Sequence, residues 1–101
     1  METLRDTLRE FARARDWEKF HSPKNLSMAL VKEAAEIVEH FQWKRDAEVL
    51  TDAEAVEVGR EIGDVLIYLV MLSDALGLDP VAEARAKIRL NARKYPERTM
   101  R

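Results

Sequence analysis

The stretch EIGDVLIYLVML, residues 61–72, decides the fold class of this sequence. Apolar residues at helical spacing, from Ile62 through Val65 to Leu69 and onward to Leu76, predict the buried face of an amphipathic helix. From Val65 to Leu72, however, the helix is apolar nearly all round, which a small monomeric four-helix domain would struggle to cover. We therefore expect the chain to form a homo-oligomer, either a dimer or a tetramer built as a dimer of dimers.

Capping signals mark the two ends of this central helix. Thr51 and Glu54 match a capping box, in which each side chain accepts a hydrogen bond from the other residue's backbone N–H. At the other end, Gly77 suits the left-handed conformation that commonly follows a helix. The third helix is therefore predicted to begin after Thr51 and to end near Gly77.

Similar signals define the remaining helices. A stripe of apolar residues predicts a first helix from about Glu2 to Asp16, followed by a short irregular link over residues 17–22. Ser22-Pro23 then opens a second helix that runs to about Lys44. Asp79-Pro80 opens a fourth helix, which stops before Pro96 because proline cannot continue the backbone hydrogen bonds.

The composition agrees with an all-α fold. The chain has 101 residues, of which 47% are hydrophobic, enough for one domain but not for two with separate cores. Only three glycines and three prolines are present, which leaves few turns for a protein of many short strands. We expect a single domain, residues 1–101, with the architecture of a four-helix bundle.

The composition also excludes several kinds of function. With no cysteine and two histidines, the chain has no thiolate chemistry and little capacity for a histidine-rich metal site. A net charge of −2 gives no field that would attract a nucleic acid polymer or an anionic membrane. No apolar run reaches the roughly 20 residues of a membrane span, and none near the N-terminus resembles a signal peptide. We expect a soluble, cytoplasmic protein.

Paired carboxylates distinguish the second and third helices. Glu33, Glu36 and Glu39 follow one another at intervals of three, and Glu61 and Asp64 have the same spacing. That spacing places side chains on one face, where like charges repel unless basic residues are interleaved. No basic residue separates Glu33 from Glu36 or Glu61 from Asp64. If the two helices pack antiparallel, the pairs face one another beside the core and predict a site for Mg²⁺, with Mn²⁺ as a substitute.

Two other interpretations of these carboxylates exist. A solvated acidic face is common on helices, and the spacing alone favours it about equally. A ferritin-like di-iron centre would need a Glu-x-x-His pair on each of two helices. The histidine nearest the glutamates, His40, follows Glu36 by four residues and Glu39 by one, so this pattern is absent.

Aromatic and basic residues lie at helical spacings near the carboxylates. Tyr68 follows Asp64 by four residues, and Trp43 follows Glu36 by seven. Aromatic rings beside a metal and phosphate site stack on flat bases, although packing in a core or an interface is the commoner role of any single ring. On the fourth helix, an ammonium, an amide and a phenol lie in one line that suits phosphate and sugar, or alternatively serves surface solubility: Lys87, Asn91 and Tyr95.

The sequence offers no alternative phosphate loop or protein nucleophile. Gly59, Gly63 and Gly77 lack the spacing of a glycine-rich phosphate loop. Ser73 lies inside a helix without a histidine at a recognisable spacing. Attack by water beside a metal ion is therefore the better candidate chemistry.

Several segments together resemble the MazG-like all-α nucleoside triphosphate pyrophosphohydrolases, and within them most closely the dCTP pyrophosphatase branch. The similarity covers nearly the whole chain, in the order RDWEKFH at 15–21, PKNL at 23–26, EAAE at 33–36, FQWK at 41–44, EIGDVLIYL at 61–69, and Lys87 through Asn91 to Tyr95-Pro96. Animal members carry a histidine where Leu8 stands here. That departure bears on the choice of nucleobase more than on the reaction.

The resemblance implies a homo-oligomer, usually a tetramer, that hydrolyses a nucleoside triphosphate to the monophosphate and pyrophosphate with Mg²⁺. The implied substrate is dCTP or a modified dCTP, and the alternatives are dUTP, other triphosphates, or a non-catalytic helical module that binds a nucleotide or a partner. The implied metal ligands are Glu33, Glu36, Glu61 and Asp64. Glu33 or Glu36 would take the proton of the attacking water, and Lys87 would stabilise charge on the phosphates. The implied base pocket comprises Trp17, His21, Trp43 and Tyr68, and the residues for phosphate and sugar are Lys87, Asn91 and Tyr95.

Overall fold

Residues 3–97 are described by a computed structural model of the chain, so the predicted helix start at Glu2 lies outside the described residues. Four α-helices follow one another, and we number them α1 to α4: Leu4–Ala14, Pro23–Glu39, Asp52–Ala75 and Pro80–Lys94. A short 3₁₀ helix, Glu18–Phe20, interrupts the link predicted to be irregular. No strand occurs within this range, and the predicted all-α fold class is confirmed.

The predicted starts of α2, α3 and α4 are confirmed by side-chain caps, whereas α1 begins at Leu4 after a cap at Thr3 that was not predicted. The Thr51 hydroxyl accepts a hydrogen bond from the Glu54 N–H at 3.2 Å, and the Thr51 N–H donates to the Glu54 carboxylate at 2.9 Å. The Ser22 and Asp79 side chains accept backbone N–H bonds at the starts of α2 and α4, without the reciprocal bond, and each is followed by proline at the first helical position. Because these caps involve residues within three positions of one another, the local sequence is sufficient to specify them.

The second helix is shorter than predicted. It ends at Glu39 rather than near Lys44, since the His40 and Phe41 N–H groups donate to carbonyls three residues back and tighten the last turn. The Lys44 ammonium then lies 2.9 Å from the Glu54 carboxylate and 3.3 Å from that of Glu48, which attaches the following loop to the start of α3. The prediction that residues 41–44 continue the second helix is therefore wrong.

The first helix also ends early, at Ala14 instead of Asp16. Asp16 adopts a positive φ of 55°, a left-handed conformation that Asp tolerates better than most residues. Because the chain turns back at Asp16, the Trp17 N–H donates to the Ala12 carbonyl at 2.9 Å. The Trp17 ring then contacts the ring of Phe11.

The second and third helices form the main packing of the chain and run antiparallel. His40 near the end of α2 contacts Glu61, whereas Glu33, two turns earlier, lies near Asp64 further along α3. The first helix packs on the second half of α3, and α4 leaves α3 at an angle of 93°. The antiparallel packing on which the predicted meeting of the acidic pairs depends is thus observed.

One chain alone does not bury its apolar residues. Its radius of gyration is 17.3 Å, against about 13 Å for a compact domain of 100 residues. Ile62 and Leu76, assigned above to a buried face, are each more than half exposed, because no other helix of the same chain covers them. Among residues 3–97 the buried apolar residues are Ala12, Leu26 and Val58.

No single helix in residues 3–97 has both the length and the apolarity needed to cross a membrane. Only α3 and α4 taken together, across their 93° bend, meet that criterion of length and composition.

Candidate functional site

The carboxylates of Glu33 and Glu36 on α2 and of Asp64 on α3 lie close together where the two helices pack, and Glu61 precedes Asp64 by three residues on α3. We call Glu33, Glu36, Glu61 and Asp64 the acid cluster; all of them are half-buried. Burial raises the pKa of Glu33 above its ordinary value, and a hydrogen bond to Glu36 and the negative charges of Glu36 and Asp64 raise it further. The carboxyl groups of Glu33, Glu36 and Asp64 are therefore close enough to influence one another's ionisation.

The acid cluster contains carboxylate oxygens that lack donors. Within residues 3–97, the Oε2 atoms of Glu33 and Glu61 are buried and have no hydrogen-bond partner. A buried polar atom without a partner is costly, and a buried carboxylate more so. A hard divalent cation would satisfy both the charge and the free lone pairs, so the donor chemistry fits Mg²⁺ or Mn²⁺.

The acid cluster is not a complete metal cage. Across the described part of the chain, no three Asp, Glu or His side chains converge closely enough to enclose an ion. Mg²⁺ usually retains waters and binds one or two carboxylates together with substrate phosphates, so a full protein cage is not required. The assignment of individual metal ligands stays a prediction.

His40 is part of this region, although it was not among the predicted site residues. Its Nε2 lies 2.7 Å from Glu61 Oε2, and the two side chains are only 23% and 19% exposed. The separation is that of an ion pair, but the ring N–H is not aligned for a hydrogen bond, which is why Glu61 Oε2 is still without a donor. The antiparallel register of α2 and α3 creates this contact, and no spacing within one helix could indicate it.

An aromatic pocket of about 170 Å³ lies one helical turn from the acid cluster. Tyr68 joins the two, since it follows Asp64 by four residues, about 6 Å along the axis of α3. The pocket is lined by Leu8, Phe11, Trp17, His21, Ile67, Tyr68 and Met71. It therefore combines three of the residues predicted to form a base pocket with four that were not predicted.

The rings of this pocket are held in place by contacts within α1 and the link after it. Phe11 and Trp17 meet edge to face, with ring centroids 5.5 Å apart and an interplanar angle of 66°. The Arg15 guanidinium lies 3.6 Å from the centroid of the Phe11 ring. The sequence shows Leu8 and Phe11 as one apolar stripe, but it does not show that the stripe faces a cavity.

Other predicted site residues lie apart from the acid cluster and the aromatic pocket. Trp43 is 90% exposed, and because α2 has already ended at Glu39, its predicted helical alignment with Glu36 is wrong. On α4, Lys87, Asn91 and Tyr95 are exposed. None of the three lines the aromatic pocket, and within the described residues none forms a side-chain hydrogen bond, so their binding roles stay predictions.

The chain is similar in sequence to characterised families and proteins. The sequence profile of the MazG-like family matches residues 29–100. The chain is 42% identical over 100 residues to dCTP pyrophosphatase 1 of Homo sapiens and 43% identical to that of Rattus norvegicus. Each match covers 95% of this chain and 59% of the relative, so the chain spans less than two thirds of the length of these proteins.

A crystal structure of a pyrophosphatase from Archaeoglobus fulgidus shares the fold. It superposes with a TM-score of 0.76 at 41% sequence identity, covering 91% of this chain and 88% of the other. The similarity thus extends over α1 to α4 and includes the elements that carry the acid cluster and the aromatic pocket.

Proposed function

Because this chain belongs to the MazG-like family, we propose that it hydrolyses a nucleoside triphosphate to the monophosphate and pyrophosphate. The observation that carries the proposal is the position of the aromatic pocket, one helical turn from an acid cluster with unpartnered, buried oxygens. A base in the pocket would direct its phosphates toward the carboxylates. The relatives named dCTP pyrophosphatase 1 support the same activity.

The proposed substrate is dCTP or a modified dCTP. The pocket is small and mostly apolar, and His21 and Tyr68 are the side chains in its lining that can both donate and accept hydrogen bonds. Trp17 and Tyr68 provide ring faces for stacking. The name of the relatives supports cytosine as the base, with dUTP and other triphosphates as alternatives.

We assign the metal to the acid cluster, with Glu33, Glu36, Glu61 and Asp64 as the residues that would hold Mg²⁺, or Mn²⁺ in its place. When bound there, the cation would neutralise negative charge on the phosphates and make a bound water more acidic. The buried oxygen of Glu33 that lacks a hydrogen-bond partner supports this assignment. Glu61 Oε2 has His40 Nε2 at 2.7 Å but forms no hydrogen bond.

The reaction proposed is in-line attack of water on the α-phosphorus. The water oxygen bonds to phosphorus, the bond from phosphorus to the bridging oxygen breaks, and pyrophosphate leaves. Glu33 or Glu36 accepts the proton of the water. Lys87 would stabilise charge on the phosphates, with Asn91 and Tyr95 contacting phosphate or sugar.

The proposed working form is a homo-oligomer, a dimer or a tetramer built as a dimer of dimers. The exposed apolar residues of α3 support it, since association would remove them from water. We place the whole activity in one domain, residues 1–101, and the proposed role is to remove unwanted nucleotides from the cytoplasmic pool.

The activity is tested with purified protein, Mg²⁺ and a panel of nucleoside triphosphates. We expect release of pyrophosphate rather than orthophosphate, and a loss of rate of about 100-fold or more in Glu36→Gln, because a carboxylate that binds metal or accepts a proton is removed. Glu39→Gln is the matched control. Because Glu39 is exposed on the same helix, this substitution should leave the rate of hydrolysis nearly unchanged. If no triphosphate in the panel is hydrolysed, the proposal that this chain is a pyrophosphohydrolase is refuted. If a triphosphate binds without being hydrolysed, the chain is a nucleotide-binding module.

A further inference from the structure

A second cavity, of about 230 Å³, lies behind the aromatic pocket. The two cavities share the walls formed by Leu8, His21 and Met71, so these side chains separate one space from the other. Arg9 and Asp74 also line the second cavity. Any change there would be transmitted to the aromatic pocket through the shared walls.

Arg9 and Asp74 form a two-pronged ion pair across this second cavity. The Arg9 Nε donates to Asp74 Oδ2 at 2.8 Å, while Nη2 donates to Oδ1. The Asp74 side chain is only 24% exposed, and the adjacent guanidinium holds the pKa of its carboxyl below the usual range. Isolated surface pairs are usually worth little, but a bidentate Arg–carboxylate pair fixes direction as well as distance.

The pair connects the two elements whose separation sets the width of the aromatic pocket. Arg9 follows Leu8 on α1, and Asp74 follows Met71 by three residues on α3, so each partner lies beside a shared wall. Ala12 is the buried residue of α1, and α1 packs less extensively on α3 than α2 does. Without the pair, Leu8 and Met71 would be free to move apart.

We propose that Arg9 and Asp74 are positioning residues that clamp α1 to α3 and thereby restrict the aromatic pocket to small bases. The proposal rests on the proposed function for the identity of the ligand. Loss of the clamp would weaken substrate binding and admit larger bases, while the acid cluster on α2 and the first half of α3 would be unaffected.

The test compares Arg9→Ala, Asp74→Ala and the double variant with wild type, using dCTP and dATP. We expect KM for dCTP to rise severalfold, kcat to change by less than about twofold, and the preference for dCTP over dATP to fall about tenfold. Since both residues act through one contact, the double variant should be no worse than either single variant.

Arg5→Ala is the matched control, because Arg5 lies one turn away on α1 and lines the same cavity. The charge of Arg5 also lowers the pKa of Asp74, but its guanidinium pairs with Asp6, whereas the hydrogen bonds to Asp74 come from Arg9. Unchanged KM and base preference in the Arg9 and Asp74 variants would overturn the proposal, as would a fall in kcat alone. If wild type hydrolyses no triphosphate, the proposed function fails, and amide hydrogen exchange then tests the clamp. Arg9→Ala should accelerate exchange in α1 relative to Arg5→Ala, and equal rates would refute the clamp.

Discussion

The paired helices α2 and α3 and the fourth helix α4 differ in how much of the candidate site one chain assembles. Between α2 and α3, antiparallel packing brings carboxylates from distant parts of the sequence together and partly removes them from water. On α4, Lys87, Asn91 and Tyr95 are exposed, and the helix leaves α3 at 93°. One chain therefore brings together carboxylates of the proposed metal site, whereas it leaves the residues proposed to bind phosphate exposed to solvent.

The largest expected effect lies in the α2–α3 half. Asp64→Asn keeps the size of the side chain but removes its charge from the acid cluster, so we expect the rate of pyrophosphate release to fall by about 1,000-fold. The measurement is steady-state hydrolysis over a range of Mg²⁺ concentrations. A variant within tenfold of wild type at all concentrations would contradict a catalytic acid cluster.

A smaller effect is expected on α4, and it decides whether that helix belongs to the site. Lys87→Ala should slow hydrolysis by about 100-fold, the usual cost of losing one group that stabilises developing charge. Arg89→Ala supplies the control, since Arg89 is exposed on the same helix two positions away. Equal rates of hydrolysis for Lys87→Ala and Arg89→Ala would contradict the proposed role of Lys87 in stabilising charge on the phosphates.

The third effect concerns the aromatic pocket beside the α2–α3 half. Replacing Tyr68 with Leu preserves an apolar side chain but removes a ring face, and stacking on a base is worth about 1–3 kcal/mol. We therefore expect KM for dCTP to rise about tenfold with a smaller change in kcat. Leu90→Ala, an exposed change on α4, should leave KM unaltered. An unchanged KM in Tyr68→Leu would show that the base binds elsewhere.

The smallest effect is on stability, at the loop that joins α2 to α3. The Thr51 backbone N–H and the Lys44 ammonium hold the pKa of Glu54 down to about 2, from an ordinary value of 4.5. Because the folded-state value is depressed, the stabilisation is complete above the ordinary value and is lost as the pH falls from 4.5 through 2. Glu54→Gln should therefore lower the melting temperature near neutral pH but not near pH 2. If wild type and Glu54→Gln differ in melting temperature by the same amount at both pH values, the ionised Glu54 carboxylate is not the source of the stabilisation.

Local signals in the sequence were sufficient for much of the fold. The caps at Ser22, Thr51 and Asp79 depend on neighbours within three residues, and the spacing of Glu33 and Glu36 is equally local. The end of α2 was not predictable in this way, because Lys44 is bound to Glu54 on another helix. A contact that depends on tertiary packing has no signature in helical periodicity.

The same distinction explains the site. Tyr68 was predicted from its spacing to Asp64, but Met71 and Leu8 line the pocket only because α1 packs on α3 at that point. The contact of His40 with Glu61 likewise follows from the register between two helices. The exposure of Ile62 and Leu76 depends on what covers α3, which the periodicity of one helix does not reveal.

The central claim, attack of water on the α-phosphorus, is tested most directly by hydrolysis in water labelled with ¹⁸O. The wild-type protein is incubated with dCTP and Mg²⁺, and both products are analysed by mass spectrometry. Attack at the α-phosphorus predicts one ¹⁸O atom in the nucleoside monophosphate and none in the pyrophosphate. Label in the pyrophosphate, or release of orthophosphate, would contradict the account.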